Sequence, residues 1–194
     1  MPKIVETIVT TQSADGIVHV APLGLIGDGD HWIIAPFAPS RTLDNLRAVP
    51  FACASHTADV RIFAGCITGR KSWPVTPAAT IKAARLTACV SHWELAVDHV
   101  IEDVLRPRFV CRIAHAESHE PWSGHNRAQA AVIECAVLAS RLHMLTAEKI
   151  DAELEYLNIA ISKTAGPAEL EAWGWLMEKI AAWKAQNSQV ASKP

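Results

Sequence analysis

The pattern of apolar and polar residues in the first third of the chain predicts antiparallel β-structure. Three strand-like segments, KIVETIVTT, IVHVAPLGLIG and HWIIAPF, are separated by the turn sequences ADG and DGD. Asp-Gly pairs between apolar segments are typical of tight hairpin turns. We therefore expect two hairpins within the first 37 residues.

The β pattern resumes after a short helix that is predicted at SRTLDNLRAV. PFACASH follows this helix directly, and the two long segments ARLTACVSHWELAVDHV and RFVCRIAHAES are separated by LRP. Their apolar and β-branched residues favour strands. Six strands joined by few long crossovers predict a β-barrel.

Residues 59–84 give no single pattern. The segment DVRIFAGCI, at 59–67, is compatible with a helix. The segment GRKSWPVTPAAT, at 69–80, has the Gly, Pro and Thr content that is typical of a loop.

The second part of the chain changes to helical periodicity. Residues 126–145, NRAQAAVIECAVLASRLHML, are apolar on nearly all sides, as in a helix that is buried on most of its surface. Thr146 is a candidate N-cap for a second helix, which Gly166 and Pro167 end. The apolar stripes of the second and third helices are Ile150, Leu154, Leu157 and Ile161, and Trp173, Leu176, Ile180 and Trp183. We therefore expect three helices after the barrel.

Composition and charge exclude several classes of partner. The chain has 194 residues, a net charge of −2 and no block of Lys or Arg, so nucleic acid and membrane surfaces are poor candidates. No segment has the pattern of a signal peptide or a membrane span. The five cysteines are widely spaced among apolar residues, as reduced core cysteines are, which favours a cytoplasmic location.

The turn before the first helix has the residues of a small-anion site. The backbone N–H groups at a helix start, the hydroxyls of Ser40 and Thr42, and the guanidinium of Arg41 can converge on one phosphate. Asn45 lies on the next helical turn. The alternative is that Ser40 is only an N-cap and Arg41 a solvated surface residue.

No metal site is predicted. The segment HAESH, with His125 nearby, offers ligand types, but Ala114–Ser118 has the pattern of a strand. Residues four apart in a strand lie about 13 Å from each other and cannot share an ion. The chain also lacks a G-x-S-x-G nucleophile motif and the strand, helix and acid of a dinucleotide fingerprint.

The order of these segments resembles the DUF447 family of FMN-binding split-barrel proteins. The resemblance is carried by ETIVTT, ADGIVHVAPLGL, SRTLDNL and FACASHTADV, and then by GHNRAQAAVIECAVLASRLHML, and it extends from Glu6 to about Leu145. It implies a mainly β fold with α: an FMN-binding split barrel over residues 1–120 and a C-terminal three-helix extension over residues 121–194. His19 and Leu23 stand where the family pattern has an Asn-like and a Met-like residue.

The resemblance also implies a site for FMN. It assigns the flavin phosphate to Ser40, Arg41 and Thr42, with Asn45 beside them. It places the flavin ring against two strands, where Gly24 and Pro22 would leave room for a flat ring to approach the backbone. The ring residues are Ala21, Pro22, Leu23 and Gly24 on one strand and Ser55, His56 and Thr57 on the other.

Asn126 and Arg127 have two interpretations. Arg127, Glu134 and Arg141 recur every seven residues on one helix face, which favours a structural charge network at the packing seam of helix and barrel or at a subunit interface. Alternatively, Asn126 and Arg127 lie at a helix start and close over the phosphate or substrate side of the flavin.

The resemblance implies a flavin-dependent oxidoreductase that uses FMN N5 for hydride transfer, with NAD(P)H as a possible electron donor, and a homodimer. It assigns no catalytic side chain. A flavin carrier without turnover, or a structural split-barrel dimer, is the alternative, because a fold alone does not decide function.

Overall fold

The computed structural model describes the backbone of residues 2–191 and the side chains of residues 2–187. Within that range the strands are β1 (Ile4–Gln12), β2 (Val18–Asp28), β3 (His31–Ile34), β4 (Phe51–His56), β5 (Val75–Pro77), β6 (Ala84–Leu86), β7 (Ser91–Ile101) and β8 (Arg108–Ser118). The α-helices are α1 (Arg41–Ala48), α2 (Arg61–Ile67), α3 (Arg127–Ser140), α4 (Ala147–Thr164) and α5 (Pro167–Ala191).

Six antiparallel strands close into a barrel in the order β1-β2-β3-β8-β7-β4, which confirms the predicted architecture. The two hairpin turns contain Gly16 and Gly29, whose φ angles of +87° and +60° lie in the region that favours glycine. Apolar residues at alternate positions fill the interior, among them Val9, Leu25 and Phe109. Strands β1 and β4 are buried on both faces, because residues 7–11 and 52–55 are each buried without interruption.

The barrel is open along part of β2. This strand pairs with β1 from Val18 to Ile26, but it pairs with β3 only from Ile26 to Asp28. Among the described strand pairings, the other edge of residues 18–25 has no partner strand. A strand edge without a partner strand is a place where a ligand or another chain can bind.

A small hairpin, β5–β6, lies on the outer face of the barrel. The Thr10 hydroxyl donates to the Ala84 carbonyl, and the Ser55 hydroxyl accepts from the Leu86 N–H at 3.1 Å. Two predictions are wrong here: part of the loop expected at 69–80 is strand β5, and the long segment starting at Ala84 breaks into β6 and β7. The break occurs because β6 pairs with β5 rather than with the barrel strands.

The chain forms two compact units. The first consists of the residues up to Ala58 and of Lys71–Trp122, and the second of Asp59–Arg70 and the residues from Ser123 onward. Helix α2 therefore belongs to the helical unit. The domain boundary predicted at residue 120 would instead place α2 in the barrel domain, because α2 comes before residue 120 in the chain. Val60 and Ala64 are buried in one cluster with Cys135 of α3 and Leu176 of α5.

Helix α3 is shorter and more exposed than its composition predicts. It ends at Ser140, and a single 3₁₀ turn, Leu142–Met144, follows it. Arg127, Glu134 and Arg141 are exposed, so they do not form a charge network at a packing seam within this chain. They form a solvated face, and the opposite face packs through Ala and Cys side chains. A network at a subunit interface stays a prediction.

The other two helices follow the prediction. The Thr146 hydroxyl caps α4 by accepting from the Lys149 N–H at 3.3 Å. Ile150 and Ile161 of α4 and Leu176 and Ile180 of α5 are buried in the helical core. Within the described residues, no helix is long and apolar enough to cross a membrane.

Candidate functional site

The first turn of α1 has free hydrogen-bond donors. Ser40 is the N-cap in extended conformation, and its Oγ accepts from the Leu43 N–H at 3.3 Å. The N–H groups of Arg41 and Thr42 have no intrahelical acceptor, as at every helix start. The turn predicted from the sequence is therefore a helix N-terminus with two donors left over.

A buried polar pair fixes α1 on the barrel. Asn45 is buried, and its Nδ2 donates to Thr11 Oγ1 of β1 at 3.0 Å. Thr42 is also buried beside it in the same helix. Because the Asn45 amide donates to Thr11, this residue positions the helix rather than pointing a free donor at solvent.

His19 lies within electrostatic range of Arg41, at the start of α1, and of Lys71; these three basic residues are hereafter the α1 cation group. Burial, and then the positive charges of Arg41 and Lys71, lower the pKa of His19. In the part of the chain that the structure describes, no ion pair involves Arg41 or Lys71. The exposed Asp44 in the first turn is an opposing charge. Arg41 and Lys71 give the group a positive charge that suits an anion.

The two strands predicted to hold the flavin ring flank β1 at the same level. Ile8 of β1 pairs with Pro22 of β2 on one side and with Ser55 of β4 on the other. Strands are spaced about 4.8 Å apart, so the two segments lie about 10 Å from each other across one strand. The structure thus brings residues 21–24 and 55–57 onto one region of the barrel.

The room expected beside Gly24 is occupied. A Cβ at this position would lie 2.8 Å from Ile4 Cγ2 and 3.0 Å from Glu6 Oε1. Side chains of β1 therefore cover that side of the strand. Ala21, Pro22 and Leu23 are half-buried, and Leu23 packs against the barrel core.

On β4 the candidate side chains differ in availability. Ser55 is fully buried, and its hydroxyl accepts from the Leu86 N–H. The Thr57 hydroxyl donates to the Ala88 carbonyl at 3.4 Å. Ser55 is therefore not available to a ligand in this structure, in contrast to His56.

His56 has an unsatisfied nitrogen. Its ring packs edge-on against Trp93 with centroids 4.5 Å apart, and Nδ1 lies 3.2 Å from Ser91 Oγ. Nε2 is buried and has no hydrogen-bond partner among the described residues. Burial lowers the pKa of His56, which favours the neutral ring. A buried unpaired nitrogen of this kind fits a polar group of a bound ligand.

Asn126 and Arg127 belong to the helical unit. Asn126 is the N-cap of α3: its Oδ1 accepts from the Ala128 N–H at 2.7 Å, and its Nδ2 donates to the Thr164 carbonyl at 3.1 Å. Arg127 is exposed. Capping accounts for Asn126 without a ligand.

Two family models match the chain and decide its family. The DUF447 N-terminal domain model, described as a protein of unknown function, matches residues 5–120, and the DUF447 model for the C-terminal part matches residues 126–178. This chain belongs to the DUF447 family. No curated protein matches it.

Solved structures similar to this DUF447 chain share the fold of its barrel. An FMN-bound DUF447 protein from Methanosarcina mazei has a TM-score of 0.78 at 18% identity, covering 92% of this chain and 96% of that one. The 2-nitrobenzoate 2-nitroreductase of Pseudomonas fluorescens has a TM-score of 0.51 at 20% identity, covering 61% and 66%. The flavoredoxin of Desulfovibrio vulgaris (Miyazaki F) has a TM-score of 0.51 at 14% identity, covering 60% and 70%.

The DUF447 chain also contains a polar cluster that the sequence pattern did not reveal. His92 and Glu94 of β7 face His115 and Glu117 of β8, because His92 pairs with Glu117 and Glu94 with His115. The signal is present in SHWEL and HAESH, which carry ligand-type residues at alternate positions. Only the register between the two strands shows that they face each other.

Glu94 in this cluster is a fully buried carboxylate. It accepts from the Ala79 N–H at 2.5 Å and from the N–H and hydroxyl of Thr80 at 2.8 and 2.5 Å. Burial alone would raise the pKa of the Glu94 carboxyl. The hydrogen bonds from Thr80 and Ala79 outweigh burial and lower this pKa to about 2. Glu94 therefore holds the 79–80 loop on the barrel as a carboxylate anion.

Proposed function

We propose that this DUF447 protein binds FMN and acts as a flavin-dependent oxidoreductase of the flavin reductase type. The observation that carries the proposal is the α1 cation group, with Arg41 at the first turn of a helix that has free N–H donors. The FMN-bound relative from Methanosarcina mazei supports the choice of anion. The unsatisfied Nε2 of His56 supports a polar ligand at the barrel.

The phosphate would be bound at the α1 turn. The Arg41 guanidinium offers planar, bidentate donors, and the N–H groups of Arg41 and Thr42 add two more. Lys71 adds a positive charge, but its ammonium group has no planar, bidentate arrangement of donors. Asn45 keeps the helix in place through its hydrogen bond to Thr11.

The ring would lie against the open part of the barrel. The edge of β2 at residues 21–25 has no second partner strand among the described pairings, so its backbone would hydrogen-bond the polar edge of a flavin. His56 Nε2 would orient the ring from β4. When bound, FMN supplies hydride transfer at N5. The residues of this chain bind and orient, and no side chain is assigned as acid or base.

The central experiment replaces Arg41 with Ala and compares two flavins. FMN should bind about tenfold to a hundredfold more weakly, since a charge-assisted contact contributes about 1.5–3 kcal/mol. Riboflavin, which has no phosphate, should bind as it does to the wild type. Arg41→Lys should recover part of the loss, because the charge remains and the bidentate fork does not.

Arg47→Ala is the matched control for this experiment. Arg47 lies in the same helix and is exposed, but it pairs with Glu102 at 2.8 Å at the other end of α1. FMN affinity should be unchanged in this variant. Equal weakening of both flavins by Arg41→Ala would contradict the phosphate site, as would no weakening of either.

The absorption spectrum separates an enzyme from a carrier. We expect a yellow protein whose flavin absorption bleaches under NADH or NADPH in the absence of oxygen. A colourless protein that does not bind added FMN would overturn the proposal. A yellow protein that neither nicotinamide reduces would favour the flavin carrier.

We also infer that the chain forms a homodimer. Phe37, Val104 and Leu105 of the barrel unit expose large apolar side chains, and Val104 is 90% exposed. Light scattering at micromolar concentration should give twice the chain mass, and a monomer would contradict the dimer.

The five free cysteines fit a reducing compartment, so the cytoplasm remains our prediction for the location of the protein.

A further inference from the structure

Ligand-type side chains from two adjacent strands converge at one edge of the barrel. His92 of β7 pairs with Glu117 of β8, and His119 follows the end of β8. One ligand atom from each of His92, Glu117 and His119 lies within 4.8 Å of the others. His92 is 1% exposed, whereas Glu117 is exposed and His119 half-buried, so the group opens toward solvent on one side.

The two imidazoles of this group face each other nitrogen to nitrogen. His92 Nδ1 lies 2.9 Å from His119 Nε2, and the rings are within 9° of parallel with centroids 5.1 Å apart. This is the geometry of an in-line N–H···N hydrogen bond. With metal–nitrogen bonds of about 2.1 Å, the same nitrogen separation corresponds to an angle near 90°, as between neighbouring ligands of an octahedral ion. To direct its lone pair at a metal in that position, each ring would have to turn by about 45° from the nitrogen–nitrogen line, and the metal would then replace the bridging proton.

The other ring nitrogen of His92, Nε2, faces a carboxylate, which is a common hydrogen-bond partner of metal-binding histidines. His92 Nε2 lies 3.4 Å from Glu94 Oε1, and Glu94 is fully buried and fixed by Ala79 and Thr80. A carboxylate acceptor at Nε2 selects the tautomer in which Nε2 carries the proton and Nδ1 presents a lone pair. The lone pair then points toward His119 and solvent.

We propose that His92, Glu117 and His119 form a binding site for a divalent first-row transition metal, with Glu94 as the residue that orients His92. Two imidazoles and one carboxylate suit ions such as Ni²⁺, Fe²⁺, Co²⁺ and Zn²⁺, and they do not suit Mg²⁺ or Ca²⁺. Three protein ligands leave coordination positions open for water or a small ligand. The site uses none of the residues proposed to bind the flavin phosphate or the flavin ring, so it is tested by metal binding to the flavin-free protein.

A second combination, His92 with Glu94 and His115, also brings ligand atoms within 4.8 Å. Here Glu94 would have to leave its hydrogen bonds to Ala79 and Thr80, which fill both of its oxygens. Removing a buried carboxylate from such partners costs stability.

The test is calorimetric titration of tag-free, chelator-treated protein with Ni²⁺. We expect one Ni²⁺ per chain in the wild type, a higher unfolding temperature with Ni²⁺, and no binding of Mg²⁺. Glu117→Gln and His119→Ala should each weaken Ni²⁺ by more than about tenfold, since even outer-shell changes cost that much. His115→Ala is the matched control, a histidine on the same strand face that should leave Ni²⁺ affinity unchanged.

Three results would overturn the proposal. The first is wild-type protein that binds no Ni²⁺. The second is wild-type affinity in both Glu117→Gln and His119→Ala. The third is equal loss in His115→Ala, which would assign the ion to the combination with Glu94. Thermal unfolding of each variant without metal checks folding, and the exposed Glu117 keeps the test available if His119→Ala fails to fold.

Discussion

His19 is the member of the α1 cation group whose charge can change near neutral pH. Its pKa is lowered by burial and by Arg41 and Lys71, so the ring is neutral at pH 7 in the ligand-free protein. A phosphate placed beside it would raise that pKa, because an opposite charge favours the protonated form. FMN binding would then be accompanied by proton uptake at His19.

This predicts that FMN affinity gains from acidification through His19. Between about pH 7.5 and about pH 5.5, the ratio of wild-type to His19→Gln affinity for FMN should grow severalfold as pH falls. Protonation of the flavin phosphate itself, near pH 6, affects both proteins equally and cancels in the ratio. Fluorescence titration at each pH measures it, and riboflavin should show no such change. A ratio that stays constant with pH would exclude His19 from the phosphate site.

Some residues of the candidate sites can be predicted from the local sequence and others cannot. Arg41 and Ser40 are predictable because a helix N-terminus is a local feature. Lys71 joins the same group from a distant part of the chain, and no local pattern places it there. His92 and Glu117 meet only through the register of β7 and β8, which depends on the whole barrel.

Helix caps give a prediction at the scale of elements. Ser40→Ala removes the acceptor of the Leu43 N–H, and Thr146→Ala removes that of the Lys149 N–H, both at 3.3 Å. Each variant should lose about 1 kcal/mol of unfolding free energy, measured by urea denaturation. Only Ser40→Ala should also weaken FMN, because α1 carries the phosphate donors and α4 does not.

The Thr146→Ala variant separates a local effect from a general one. If it weakens FMN as much as Ser40→Ala does, then loss of stability alone explains both. The phosphate turn would then have no special role. Wild-type FMN affinity in Ser40→Ala would equally contradict it.

Elements were predictable where the residue types along them favour one kind of structure. The barrel strands are rich in apolar and β-branched residues, and helices α4 and α5 follow a period of 3.6 in apolar residues. The β5–β6 hairpin was not predictable, because its position depends on bonds from Thr10 and Ser55 of other strands. Its Pro and Thr content is that of a loop, and only this non-local pairing makes it strand.

At the scale of the whole molecule, the assignment of α2 to the helical unit predicts the behaviour of a shortened chain. A chain ending at Trp122 keeps α2 but lacks α3, α4 and α5, which cover Val60, Ala64 and Ile67. We expect this chain to bind the dye ANS and to elute as aggregates, because the apolar face is uncovered.

The matched control is the same shortened chain with Val60→Ser and Ile67→Ser. Its dye binding and aggregation should be lower, since two of the uncovered apolar residues are replaced. Size-exclusion chromatography and ANS fluorescence measure both effects. Low dye binding by the unmodified shortened chain would show that α2 does not need the later helices.

The position of α2 in the chain also means that α2 is synthesised well before the helices that bury its apolar face. The ribosome completes Arg70 about 60 residues before it begins α3 at Arg127, which at 5–20 residues per second takes about 3–12 s. During those seconds Val60 and Ala64 have left or are leaving the ribosome without the helices that bury them. A nascent chain of this protein is therefore a substrate for chaperones that bind short apolar segments, and the helical unit is finished only when the last helix is made.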